Sequence, residues 1–244
     1  MQLANLKKHF VYWILPSFIT LACILIYYFD LFGLEEFIAP EINREFGLVE
    51  NLQLLILLLI FFVATKEFRI RKIKIEQYVF FIVAAISIFL FLEEIDYGLH
   101  YYDYFTGKSQ TTQVKIFDKQ IRNIHNNGHL QNLFKLAAYA FIVVFFVIFP
   151  FVPSGKKEKF PILNFLSPSR FIVTTALCLL FLNQFALYLY HLYNSPNRSL
   201  SGNVSEFEEI MIYYIIFLYI CEMTKKPQGM LQWRAIRNNT NVKA

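Results

Sequence analysis

A chain of 244 residues that is 57% hydrophobic and only 17% charged carries too little polar surface to enclose a water-soluble core. Its net charge of +5 at pH 7 comes with no nucleic-acid-binding motif, so no nucleic-acid partner is expected. Cys23, Cys178 and Cys221 all lie inside apolar runs, and their spacing fits neither a disulfide framework nor a zinc site.

Six apolar stretches, at about 10–32, 48–65, 77–94, 133–152, 171–192 and 207–223, predict an all-α, polytopic membrane protein with six transmembrane helices in one domain, 1–244. Most approach the ~20 residues that cross ~30 Å of hydrocarbon. The first follows Lys7 and Lys8 as a signal peptide would. It is too long for one, contains Pro16 and lacks a small-residue cleavage site before Glu35, so it is expected to stay. The second opens with Glu50-Asn51-Leu52-Gln53 and is followed by a basic connection at 66–76.

The third ends in Glu93-Glu94-Ile95-Asp96-Tyr97-Gly98-Leu99-His100. If helix continued past Asp96, Glu93, Asp96 and His100 would stack on one face. The long connection at 95–132 carries Tyr97, Tyr101, Tyr102, Tyr104 and Phe105, the composition of an interfacial aromatic belt. From about Gln113 to Ile124, Val114, Phe117 and Ile121 recur at helical spacing and predict a short interfacial helix. Asn123-Ile124-His125-Asn126-Asn127-Gly128-His129 then leads into the fourth span. A connection stiffened by Pro153, Pro161 and Pro168 precedes the fifth, which holds Asn183-Gln184 near its middle. Glu206-Phe207-Glu208-Glu209 opens the sixth.

Charge segregates along this order. Sixteen of the 23 basic residues fall at the chain ends and in alternate connections, while 14 of the 18 acids fall on the opposite side. The positive-inside rule then places both termini in the cytoplasm. A Lys-, Ile-, Phe- and Asn-rich chain of this style points to a bacterial cytoplasmic (inner) membrane. Its basic face would meet anionic lipid, and its functional face would look toward the periplasm or exterior.

The four polar pieces thus share one depth near the outer leaflet. Carboxylates there are expensive to desolvate unless paired, protonated or bound to a cation. Glu93, Glu94, His125 and Glu50 are the catalytic candidates. Glu93, Glu94, His125, Glu208 and Glu209 could also ligate a divalent metal, with Zn, Mn, Fe and Ca not distinguished. Asn51, Gln53, Asp96, His100, Asn123, Asn126 and His129 would support them. Each has an ordinary reading as well. Acids in a first helical turn suit the helix dipole, histidines beside tyrosines pack at interfaces, and Asn-Asn-Gly makes a turn. Those readings do not explain Glu93-Glu94 at a helix C-terminus, where the dipole disfavours negative charge.

Together the pieces resemble an uncharacterised family of bacterial polytopic membrane proteins with Glu-Asn-x-Gln, Glu-Glu-x-Ser-Trp-Gly-Gln and Asn-x-His-Asn motifs and a final Glu-Glu pair. Glu50-Asn51-Leu52-Gln53, Asn123-Ile124-His125-Asn126 and Glu208-Glu209 match as they stand. In the middle motif Glu93, Glu94 and Gly98 fit, while Asp96, Tyr97 and Leu99 replace Ser, Trp and Gln. The resemblance covers about residues 48–220 and implies one shared site without supplying an activity.

Three function classes follow. The first is a membrane-embedded hydrolase or transferase acting at the outer leaflet on a lipid or lipid-linked substrate. The second is a channel or transporter subunit, with the acids as a cation-collecting vestibule. The third is a non-catalytic scaffold that assembles with itself or with other membrane proteins. The lipid bilayer is a partner in all three.

Overall fold

The computed structural model describes residues 2–40, 46–107, 114–116, 119–121, 128–153, 160–193 and 204–227. Helix α1 (Gln2–His9) passes through a π-helical segment (Phe10–Ile14) into α2 (Leu15–Phe29). A 3-10 turn and α3 (Glu35–Ile38) precede two long helices, α4 (Leu48–Ile70) and α5 (Lys74–Glu94). Next come α6 (Leu99–Thr106), an antiparallel pair of strands β1 (Val114–Ile116) and β2 (Lys119–Ile121), and α7 (Gly128–Phe141). α7 continues into a second π-helical segment (Ile142–Ile148). α8 (Pro161–Leu166), α9 (Arg170–Tyr193) and α10 (Val204–Thr224) follow.

Among the described residues, four helical runs are long and apolar enough to cross a bilayer: Leu6–Phe29, Leu48–Ile70, Lys74–Glu94 and Arg170–Leu192. They match the first, second, third and fifth expected spans. In place of the fourth is a shorter apolar helix, Leu136–Phe151, that loosens into π geometry before Pro150. α10 is long enough for the sixth, but it carries Glu206, Glu208, Glu209 and Glu222. The packing explains why it tolerates them. α10 contacts α2, α4 and α9, and no residue from Glu206 to Thr224 is exposed. Its acids therefore face protein, where donors can meet them.

One local expectation is corrected. Val114–Ile116 and Lys119–Ile121 form paired strands, Val114 opposite Ile121 and Ile116 opposite Lys119, where an interfacial helix was expected; the rest of that expected helix lies outside the described residues. Three apolar residues in so short a run fit either period, and the β-branched Val114, Ile116 and Ile121 favour the extended one. Helix α5 ends at Glu94, where the third expected span ends, so the condition for stacking past Asp96 is not met. Asp96, Tyr97 and Gly98 take φ values of +48°, +54° and +87°, so Glu93, Asp96 and His100 share no continuous helical face.

Pro16 shows how the first helix stays intact around a residue that should break it. A proline donates no hydrogen bond to the carbonyl four residues earlier, here that of Tyr12. The Thr175 hydroxyl on α9 donates to that carbonyl at 2.8 Å, and the Tyr214 hydroxyl on α10 donates to the Val11 carbonyl at 2.7 Å. The freed carbonyls thereby tie the helix into the bundle.

The opposite end of α10 is locked by a buried arginine. Arg71, 2% exposed, donates from Nε to Glu67 at 2.8 Å and from Nη1 to Glu76 at 3.3 Å. It also donates to the carbonyls of Met223, Thr224 and Lys226 at 3.0–3.1 Å, satisfying the C-terminus of α10. The rings of Phe80 and Phe165 flank its guanidinium, with centroids 5.5 and 5.9 Å away. Nearby, Glu222 accepts from the Tyr12 hydroxyl at 2.7 Å, from the Ser169 amide at 2.9 Å and from the Ser169 hydroxyl. Glu67, Glu76 and Glu222 are thus acids on the basic side that serve as structural ties.

Candidate functional site at the acidic end of the bundle

α4 and α10 begin, and α5 ends, at the same end of the bundle. Three of the four polar pieces meet there. Gln53 lies one turn into α4 and is 0% exposed. Its Nε2 donates to the Glu206 carbonyl at 2.9 Å and to Glu206 Oε2 at 3.1 Å, bridging to α10. Because the nitrogen is committed to two acceptors, the amide orientation is fixed, and the buried Oε1 has no hydrogen-bond donor among the described residues. The amide therefore presents a bare acceptor at the top of the α4–α10 seam.

From α10, the Tyr213 hydroxyl donates to Glu94 Oε1 at 2.6 Å, joining the sixth expected span to the end of α5. Glu206 and Glu209 lie close enough to act electrostatically on the same tyrosine, so carboxylates from two helices surround one phenol. Glu93 is 2% exposed and accepts a hydrogen bond from the Tyr97 hydroxyl. That bond answers the sequence puzzle of a glutamate pair at a helix C-terminus. The left-handed turn at Tyr97 swings its phenol back over the last turn of α5, where it supplies the donor that the helix end cannot. The carboxylate in turn holds the Tyr97 proton and pushes the phenol pKa from 10 up to about 12.

Glu208 is buried and shares a hydrogen bond with the Tyr139 hydroxyl of α7. Tyr139 in turn accepts from Asn183 on α9, so Asn183 makes the interhelical bond expected of a mid-span amide. Gln184 is exposed and takes no part, as befits a residue rotated 100° away on the same helix.

The remaining sequence candidates divide clearly. Glu50 is half-buried in the first turn of α4, and Asn51 donates locally to the Gly47 carbonyl at 2.8 Å. Asp96 is buried in the left-handed turn. His100 and His129 fall in the first turns of α6 and α7. Asn123, His125 and Asn126 lie outside the described residues. Among the described residues, no group of three or more His, Cys, Asp or Glu side chains is placed to hold a metal ion. Sequence reasoning overlooked Tyr213 and Tyr139, although a tyrosine one turn below Glu209 in an apolar run was a usable signal.

Directly below the polar end, a cavity of about 210 Å³ runs between α2, α4 and α10. Leu52, Ile56 and Leu59 form one wall and Ile210, Met211 and Phe217 another. Comparison of the chain with family models, curated proteins and solved structures gave no match.

Proposed function

We propose that this chain is a bacterial inner-membrane protein of six spans with cytoplasmic termini, related to the family its motifs resemble. We further propose that its acidic end is the active site of a membrane-embedded hydrolase or transferase working at the outer leaflet on a lipid or lipid-linked substrate. One observation carries this reading: Gln53 and Tyr213 tie carboxylates of α10 and α5 to partner helices at one end of the bundle. Scattered helix-capping acids would not need buried donors on partner helices.

The chemistry available is acid–base. Glu93 or Glu94, assisted by Glu50 and His125, takes the proton of an attacking water or hydroxyl as its oxygen bonds to the substrate. The proton then passes to the departing oxygen. Tyr97 and Tyr213 hold the two carboxylates in place and supply neutral donors beside them. A divalent metal is compatible with these donors in kind. It would draw on Glu93 and Glu94 with His125 as the added ligand, Glu208 and Glu209 standing near, and would polarise the substrate oxygen.

The test is turnover in proteoliposomes made from bacterial polar lipid, with products followed by lipid mass spectrometry. Wild type should convert at least one lipid class, and Glu94→Gln should lose that conversion while retaining its melting temperature. Equal product in both proteins would reject the reading. The Glu208–Tyr139–Asn183 chain favours conduction as a second reading, since it leads polar groups from the acidic end toward mid-span. Cation flux into the same vesicles, reduced by Glu208→Gln, would support that alternative.

A further inference from the structure

Exposure along α9 follows a heptad. Leu177, Phe181, Gln184, Tyr188 and His191 recur at alternating intervals of four and three residues, and all are exposed. On the opposite side of the helix Leu179, Leu182 and Ala186 are buried, where α9 packs on α2 and α10. α9 therefore turns one stripe into the bundle and a second, with the spacing of a coiled-coil seam, toward hydrocarbon. Lipid chains would cover Leu177, Phe181 and Tyr188 equally well. Gln184 is the residue they cannot serve. It lies about 21 Å along the helix from Arg170 and about 12 Å from Leu192, inside an apolar run long enough to cross the bilayer. Among the described residues its amide has no hydrogen-bond partner, and hydrocarbon offers none.

We infer that α9 is a dimerisation helix, packed along this seam against α9 of a second copy of the chain, with the two Gln184 amides hydrogen-bonded to each other. The chemistry of the amide selects a second copy. A glutamine carries both donor and acceptor, so two of them related by a twofold axis satisfy each other reciprocally. Copies inserted in the same sense bring their α9 helices together in parallel, with Gln184 at equal depth in both. An acyl chain has neither donor nor acceptor to give. The heptad supplies the packing, since Leu177 and Phe181 on one side of the amide and Tyr188 on the other interlock with their counterparts at a shallow crossing angle. A single polar residue within an apolar seam also fixes register and partner number, because any other alignment leaves the amide unpaired.

The experiment uses the full-length chain carrying a donor or an acceptor dye on a terminal tag, the two mixed and reconstituted into liposomes over a range of protein-to-lipid ratios. Wild type should show energy transfer that saturates at the level of a dimer. Gln184→Leu should move the transition to about tenfold higher protein density, the scale of an interhelical hydrogen bond in a membrane. Gln184→Asn keeps donor and acceptor and should recover most of the loss. Both variants replace an exposed side chain, so helix content by circular dichroism should stay that of wild type.

Oxidative crosslinking then locates the contact. With Cys23, Cys178 and Cys221 replaced by alanine, Gln184→Cys should give a covalent dimer, and Phe62→Cys, on an exposed face of α4, should not. A wild type that stays monomeric at every density would overturn the inference. So would a dimer that Gln184→Leu does not weaken, or one that crosslinks through Phe62→Cys and not through Gln184→Cys.

Discussion

The Tyr213 hydroxyl on α10 donates to Glu94 on α5 at 2.6 Å, across 119 residues of sequence. α5 packs mainly on α4, so this bond fixes the end of α5 directly against the central helix. Replacing Tyr213 by Phe keeps the ring and removes the donor. A hydrogen bond to a charged group contributes about 2 kcal/mol, and the variant should lose about that much in detergent-titration unfolding. Lipid turnover should fall far more steeply than stability, because Glu94 loses the group that orients it.

Tyr97 makes the site's pH behaviour specific. Its folded pKa is raised to about 12 through Glu93, above the ordinary value of 10. A raised folded value means that the stabilising contribution is complete below about pH 10 and is lost as pH rises through about 12. Glu93→Gln should return the Tyr97 titration toward the ordinary phenol value, observed by NMR of ring-labelled tyrosine with Tyr97→Phe to assign the signal. An unchanged titration in Glu93→Gln would show that the carboxylate is not its partner.

Arg71 is the corresponding anchor at the basic end. Arg71→Met would leave Glu67 and Glu76 as buried carboxylates without their guanidinium, and would release the three carbonyls that end α10. Breaking a buried pair in this way costs about 3–5 kcal/mol. Arg71→Lys should recover only part of it, because an ammonium cannot serve five acceptors arranged for a planar fork. A melting temperature equal to that of wild type in Arg71→Met would refute the anchor.

How far this was legible in the chain depended on what each residue faces. α2, α4, α5 and α9 turn apolar side chains outward, so composition alone located them. α10 was located by its apolar centre, yet its central position was invisible because four acids lower its hydropathy until donors on neighbouring helices are known. The acidic cluster was readable as a coincidence of depth, and Gln53 with Glu206 follows from it. The Tyr97 turn was not, since a left-handed tyrosine has no sequence signature and Gly98 explains only the last of its three residues. Arg71 passed for one more positive-inside charge, although Glu67 and Glu76 at four and five residues' distance marked it as paired.

A carboxylate acid–base site predicts turnover that survives exhaustive chelation. Metal content by inductively coupled plasma mass spectrometry, for wild type beside Glu93→Gln and His125→Ala, checks this. Near-stoichiometric metal in the wild type, lost in both variants together with activity, would assign the chemistry to a metal centre instead.

We propose that the groups on α4, α5 and α10 act as one site. The most direct measurement is a double-mutant cycle on lipid turnover with Gln53→Leu, Tyr213→Phe and the combined variant. Residues serving one site are strongly non-additive. The double variant is expected to be no slower than the worse single variant. Losses that multiply independently, or a Gln53→Leu protein as active as wild type, would contradict it.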